Sequence, residues 1–149
     1  MIDQKFLGKK YESFDTYEVG RMKIREYASS LGDLNPLYMN KKAAEQSEFG
    51  KVVAPPTFGV VYGGEPAGRM LFDQEIKLNL PMLVHGEQDM EFFEMVGAGD
   101  EITTTGEITE IYSKKNLDFI SITCESKNQH GKLVCKSKYT FVIRGGGGS

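Results

Sequence analysis

Asp33, Asn35 and Tyr38 lie in the stretch LGDLNPLYMN, residues 31–40, and their types and spacing could move protons. Gly-Asp-x-Asn-Pro is turn chemistry: short acidic and amide side chains bond to backbone groups nearby. Such a turn can present a carboxylate at the mouth of a cleft, where it would serve as a general acid or base. A reaction that moves two protons needs a second carrier. Five residues after the aspartate, where an imidazole would complete the pair, the chain has a phenol. An unperturbed phenol titrates near ~10, which makes Tyr38 a poor base at neutral pH. Taken alone, the stretch reads as an ordinary turn.

Other chemistries have less support. His85 and His130 are the two histidines, and Cys124 and Cys135 the two cysteines, with no metal-ligand spacing among them. No metal site is therefore expected. His130 falls in a turn and reads as solvated. His85, in LVHGEQ, reads as structural, although it is the histidine that could reach a cleft. No serine sits in a G-x-S-x-G elbow, and there is no P-loop. Glu65 lies inside an apolar segment. Burial there would raise its pKa toward a general base, whereas a place at the Gly64-Pro66 break would leave it facing solvent.

The elements that must position these residues are legible from periodicity. Residues 18–31 carry Val19, Met22, Ile24, Tyr27, Ala28 and Leu31 at helical spacing, and Gly32 ends the helix. A short helix follows, with Asn40 as its N-cap. Residues 56–72 form the most apolar helical candidate, with Pro56 in its first turn. Gly59, Gly63, Gly64 and Gly68 weaken it by about 1 kcal/mol each, and Pro66 should kink or split it. These glycines either open room for a ligand or let strands pack close. After Pro81 the period changes to two, giving strands over 83–95, 101–114, 117–127 and 132–144. Gly99-Asp100 and Asn128–Gly131 are turns. One buried helix followed by four antiparallel strands is an α+β pattern.

Bulk properties set bounds. The chain has 149 residues, 40% of them hydrophobic, and a net charge of −3. That is a single-domain length, read here as residues 1–144, with an acidic balance that argues against nucleic acid or membrane surfaces as partners. No run approaches the roughly 20 apolar residues of a membrane span, and no signal peptide is visible. A cytoplasmic protein is expected. On that expectation the two cysteines read as reduced thiols rather than a disulfide. GGGGS at 145–149 reads as an engineered flexible linker.

Tyr27-x(4)-Gly32-Asp33-x-Asn35-Pro36-Leu37-Tyr38-x(5)-Ala44 resembles the signature of the MaoC-like (R)-specific enoyl-thioester hydratase and 3-hydroxyacyl-thioester dehydratase family. The likeness continues through Val53–Phe58, Leu83–Gln88 and Ala98-Gly99-Asp100. It points to the N-terminal, FAS1-like dehydratase branch, which includes partner subunits of heterodimeric dehydratases. The resemblance implies a hot-dog fold, a long central helix wrapped by an antiparallel sheet. It implies a second hot-dog unit alongside, either a MaoC-like catalytic partner or another copy. It also implies an acyl-thioester substrate carried on CoA or acyl carrier protein, with no cofactor. Asp33 and Asn35 are then the catalytic candidates, and Tyr38, Pro56, Thr57, Phe58, His85 and Gly86 the substrate-binding ones.

Two departures from the family pattern matter. The histidine five residues after the aspartate is Tyr38. The Ala-His-Gly at the start of the central helix, whose glycine N–H polarises the thioester carbonyl, is here Ala54-Pro55-Pro56, and proline has no N–H. The next donor is Thr57. Losing one such donor typically costs about 10²–10³ in rate. The expectation is a substrate-accommodating half with a degenerate catalytic loop. The alternatives are a self-sufficient hydratase using Asp33, a hot-dog thioesterase using Glu65 or Asp33, and a non-enzymatic acyl-thioester binding module.

Overall fold

Six strands form one antiparallel sheet: β1 (Lys10–Glu12), β2 (Tyr17–Glu18), β3 (Leu83–Phe92), β4 (Glu101–Lys114), β5 (Leu117–Lys127) and β6 (Leu133–Arg144). Their order is β1-β4-β5-β6-β3, with β2 beside β4. The structure, a computed structural model, describes residues 1–145. All but the first residue of the segment read as a linker, 145–149, lies outside the described residues.

Alternation builds the long strands. From Glu101 to Ile108 every second residue of β4 is buried, and β5 turns Asp118, Ile120, Ile122, Cys124 and Ser126 inward. Lys115 and Asn116 join β4 to β5 at φ of +49° and +61°. That left-handed pair matches the twist of the strands it connects. Gly131, at φ +73°, closes the β5–β6 turn with its N–H on the Asn128 carbonyl. β3 ends three residues earlier than expected. Beyond Phe93 the chain leaves the ladder and pairs instead with residues 52–54, through Ala54 N–H to Val96 O and Ala98 N–H to Val52 O, both 2.8 Å.

The helices are α1 (Arg21–Ser30), α2 (Pro36–Met39), α3 (Lys41–Glu45), α4 (Gly59–Gly63) and α5 (Glu65–Leu71). α1 starts later than the expected 18, because Tyr17 and Glu18 pair with Ile102 and Glu101 of β4. The Asn40 side chain caps α3, accepting from Ala43 N–H at 3.0 Å. The segment 56–72 is split, as Pro66 required: a 3₁₀ turn over Pro56–Phe58, then α4, then α5 with Pro66 in its first turn. Helices this short are not stable alone. They are held by burial against the concave face of the sheet. Phe58 and Tyr62 pack with Ile24, Val96, Ile102 and Val134, while Ala67 and Met70 pack with Ile108, Ile120, Ile122 and Phe141. The break at Gly64 lets one helix serve both halves of the core. This is the expected hot-dog arrangement.

Sheet and helix approach closely at Gly106. A Cβ there would lie 2.8 Å from Pro66 Cβ and 2.9 Å from Ile122 Cδ1. Cys124 and Cys135 are buried free thiols in offset register, Cys124 opposite Ser137 and Cys135 opposite Ser126. Burial pushes the Cys124 thiol up to about 12. Among the described residues no helix is long and apolar enough to cross a membrane.

One polar cluster ties β1 to the end of α5. Asp73 accepts from Tyr11 Oη at 2.6 Å and from Glu75 N–H at 2.9 Å, and Lys9 Nζ lies 2.7 Å from its Oδ2. Burial alone would raise the Asp73 pKa, but these partners outweigh it and hold the carboxyl at about 2, below its ordinary 3.8. A depressed carboxyl stabilises the fold above its unfolded pKa, and that stability disappears as pH falls through the folded value. Urea unfolding from pH 5 down to pH 2 should therefore show about 1–2 kcal/mol lost over this range, and Asp73→Asn should flatten the slope. An unchanged slope would assign the acid sensitivity elsewhere.

Candidate functional site

The loop at Asp33 is built from a helix stop followed at once by a helix start. Gly32, at φ +70°, donates to Ser29 O, and Asp33 N–H donates to Ala28 O, both at 3.0 Å. This pair of bonds closes the end of α1 as a Schellman motif. Asp33 Oδ1 then accepts from Asn35 N–H at 3.3 Å. Asn35 Oδ1 accepts from Leu37 N–H at 3.0 Å and so caps α2, where Pro36 takes the first position. Local backbone demands thus account for Gly32, Asn35 and Pro36. Asp33 is left with an exposed carboxylate.

Tyr38 is half-buried at the edge of the core half around Phe58. Burial raises its pKa, and the nearby Asp33 charge raises it further. Both effects move the phenol away from acting as a base at neutral pH. Among the described residues no hydrogen bond, ion pair or ring contact joins His85 to this loop. It lies exposed on β3, opposite Phe141 in register, with its ring 5.1 Å from the Phe141 ring and 5.8 Å from that of Tyr139. Gly86 forms the bulge beside it. Glu65 is exposed and accepts from Phe14 N–H at 2.8 Å, so the solvent-facing reading holds and a buried base there does not.

The start of the central helix stands next to α1. Tyr27 Oη donates to Thr57 Oγ1 at 3.0 Å, and Pro56 and Thr57 are exposed. Pro55 O is taken by Phe58 N–H at 2.9 Å. Phe58 itself is wholly buried, with Tyr27 and Tyr62 edge-on to its ring at 5.4 and 6.1 Å. This corrects its assignment as a substrate-binding residue: it is a core side chain, inaccessible to a ligand.

An apolar cavity of about 200 Å³ opens beside this helix start. Ala54, Pro55 and Pro56 line one side, residues 92–96 another, and Tyr62 of α4 a third. Sequence reasoning missed it. Its walls come from three remote segments, and Phe92-Phe93 falls inside the strand expected over 83–95. Asp100 keeps the geometry of the segments that form it. Its carboxylate accepts from Lys51 Nζ at 2.7 Å, Gln129 Nε2 at 3.0 Å and Gly97 N–H at 2.8 Å. Burial opposes its ionisation, but these donors hold its pKa below the usual value.

The structure also separates the two readings of the helix glycines. A Cβ at Gly59 would sit 2.8 Å from Met90 Cε, at Gly63 2.9 Å from Ser126 Oγ, and at Gly64 2.9 Å from Val60 O. That space is filled, so these three permit close packing and do not open a channel. Gly68 alone among the four faces open space.

β3 is one edge of the sheet, opposite the β1 edge. Next to it Phe92, Phe93 and Met95 remain 46%, 49% and 44% exposed. A long edge strand bordered by large apolar side chains invites pairing with another chain. Among the described residues no group of three or more His, Cys, Asp and Glu side chains is arranged to hold a metal ion.

Comparison with known proteins agrees with this fold. The model of a family described as "FAS1-like, dehydratase domain region" matches residues 5–137. A UPF0336 protein of Saccharopolyspora erythraea is 34% identical over 144 residues, 97% of this chain and 92% of that protein. The C-terminally truncated HadBC (3R-hydroxyacyl-ACP dehydratase) complex of Mycobacterium tuberculosis superposes with a TM-score of 0.81 at 22% identity, covering 92% of this chain and 96% of that one. A MaoC-like dehydratase gives a TM-score of 0.81 at 29% identity, covering 93% of this chain and 42% of that one.

Proposed function

The chain belongs to the FAS1-like dehydratase domain family, and on that footing we propose that it is the acyl-accommodating hot-dog subunit of an (R)-specific 3-hydroxyacyl-thioester dehydratase, acting also in the hydration direction. The observation that carries this reading is a contrast within one chain. An apolar cavity is built beside the helix start, where Pro56 offers no N–H, while the Asp33 loop of the same chain carries Tyr38 in place of a base. A second hot-dog subunit with an intact Gly-Asp-x-Asn-Pro-x-His loop supplies the chemistry. It docks along β3, burying Phe92, Phe93 and Met95 and closing the cavity from outside. The substrate is an acyl thioester of CoA or acyl carrier protein. The aspartate and histidine of the intact loop move the two protons that accompany addition or loss of water.

Crotonyl-CoA hydration tests this. The purified chain alone should show turnover at background, and mixing with a MaoC-like protein that carries the intact loop should produce it. Phe93→Asp should weaken that complex by about 30-fold or more, the scale of losing an interface hot spot. Full turnover by the chain alone, abolished by Asp33→Asn, would replace this proposal with a self-sufficient hydratase.

A further inference from the structure

We infer that Tyr62 sets the length of acyl chain this subunit takes, as the wall at which the cavity beside the helix start ends. The inference rests on the cavity being an acyl pocket, as proposed above.

Tyr62 is a fixed wall. It is 6% exposed, and its ring packs edge-on against the wholly buried Phe58. The space behind it is occupied. At the Gly59 position Met90 Cε, Cys135 Sγ and Tyr62 Oη converge within 2.8, 3.2 and 3.4 Å of where a Cβ would stand. Gly63, one turn on, is as tightly covered, with Ser126 Oγ 2.9 Å from where a Cβ would stand. An acyl chain passing Pro56 therefore has no path beneath the central helix. It fills the space between Ala54 and residues 92–96 and stops at the tyrosine ring. Ala54, buried on the opposite wall, controls the same volume from the other side.

The test is a series of dissociation constants for saturated acyl-CoAs from butyryl to palmitoyl, measured on the purified chain with free CoA as reference. Affinity should rise up to about fourfold per added methylene until the chain reaches Tyr62, then level off. Tyr62→Leu, which stays apolar but shortens the wall, should move that break to longer chains. Ala54→Leu adds three carbons to the opposite wall and should move it back by about three. An affinity that climbs unbroken to palmitoyl, or a break that ignores both substitutions, would overturn the role of Tyr62 while leaving the acyl pocket intact. Acyl-CoAs of every length binding no better than CoA would instead overturn the acyl-pocket reading, and this inference with it.

Discussion

Tyr38→His combined with Pro56→Gly is expected to raise crotonyl-CoA hydration by the purified chain by about 10⁴-fold or more, and Tyr38→His alone by far less. The two changes restore different things. An imidazole at position 38 supplies a carrier that titrates near neutrality, and general acid–base catalysis contributes about 10²–10⁴. The Tyr38 phenol is held above its ordinary pKa by burial and by the Asp33 charge, so it contributes little of that. Glycine at 56 restores a backbone N–H where proline has none, and one oxyanion donor is typically worth about 10²–10³. Asp33 is already exposed and held by the Asn35 N–H, so the third component is in place. The measurement is the loss of enoyl-thioester absorbance with the single and double variants. If Tyr38→His alone recovers the whole gain, the missing N–H at 56 is not a determinant, and the argument for two independent losses fails.

How much of this was legible beforehand depended on where each signal lay in the chain. β4 and β5 match the expected 101–114 and 117–127 to the residue, because each is a strand of more than ten residues that ends at a turn. β1 and β2 were invisible, since three and two residues carry no period. They in turn displaced the start of α1, whose first apolar residue, Val19, is tied by its N–H to Asp100 O. The split of the central helix was readable because Pro66 acts locally. Whether its glycines made room or closed it was not, because the answer lies in side chains from β3, β5 and β6. Absences were easier to see than presences at the site. A missing histidine and a missing N–H are properties of single residues, whereas the cavity exists only once residues 54–56, 62 and 92–96 are folded together.

Phe58→Ala should destabilise the protein by about 3–5 kcal/mol, the usual range for a fully buried aromatic, or a fall of about 10–15 °C in Tm for a domain of this size. The ring is wholly buried where α1, the helix start and β2 meet, with Tyr17, Tyr27 and Tyr62 edge-on around it. Such contacts add about 0.5–1.5 kcal/mol per pair beyond area burial, and a polyaromatic site closes poorly over a void. Thr57, its neighbour, makes the opposite prediction. It is exposed, with one hydrogen bond from Tyr27, so Thr57→Val should cost about 1 kcal/mol or less. Comparing the two by thermal unfolding and by acyl-CoA binding separates scaffold from site along two adjacent residues. Phe58→Ala should lower Tm strongly, and because Phe58 backs the Tyr62 wall, any change in acyl-CoA binding by the folded fraction should be confined to the longer chains. If Phe58→Ala instead spares Tm and weakens acyl-CoA binding, then Phe58 is reached by ligand, and the helix start must open in solution further than its packing allows.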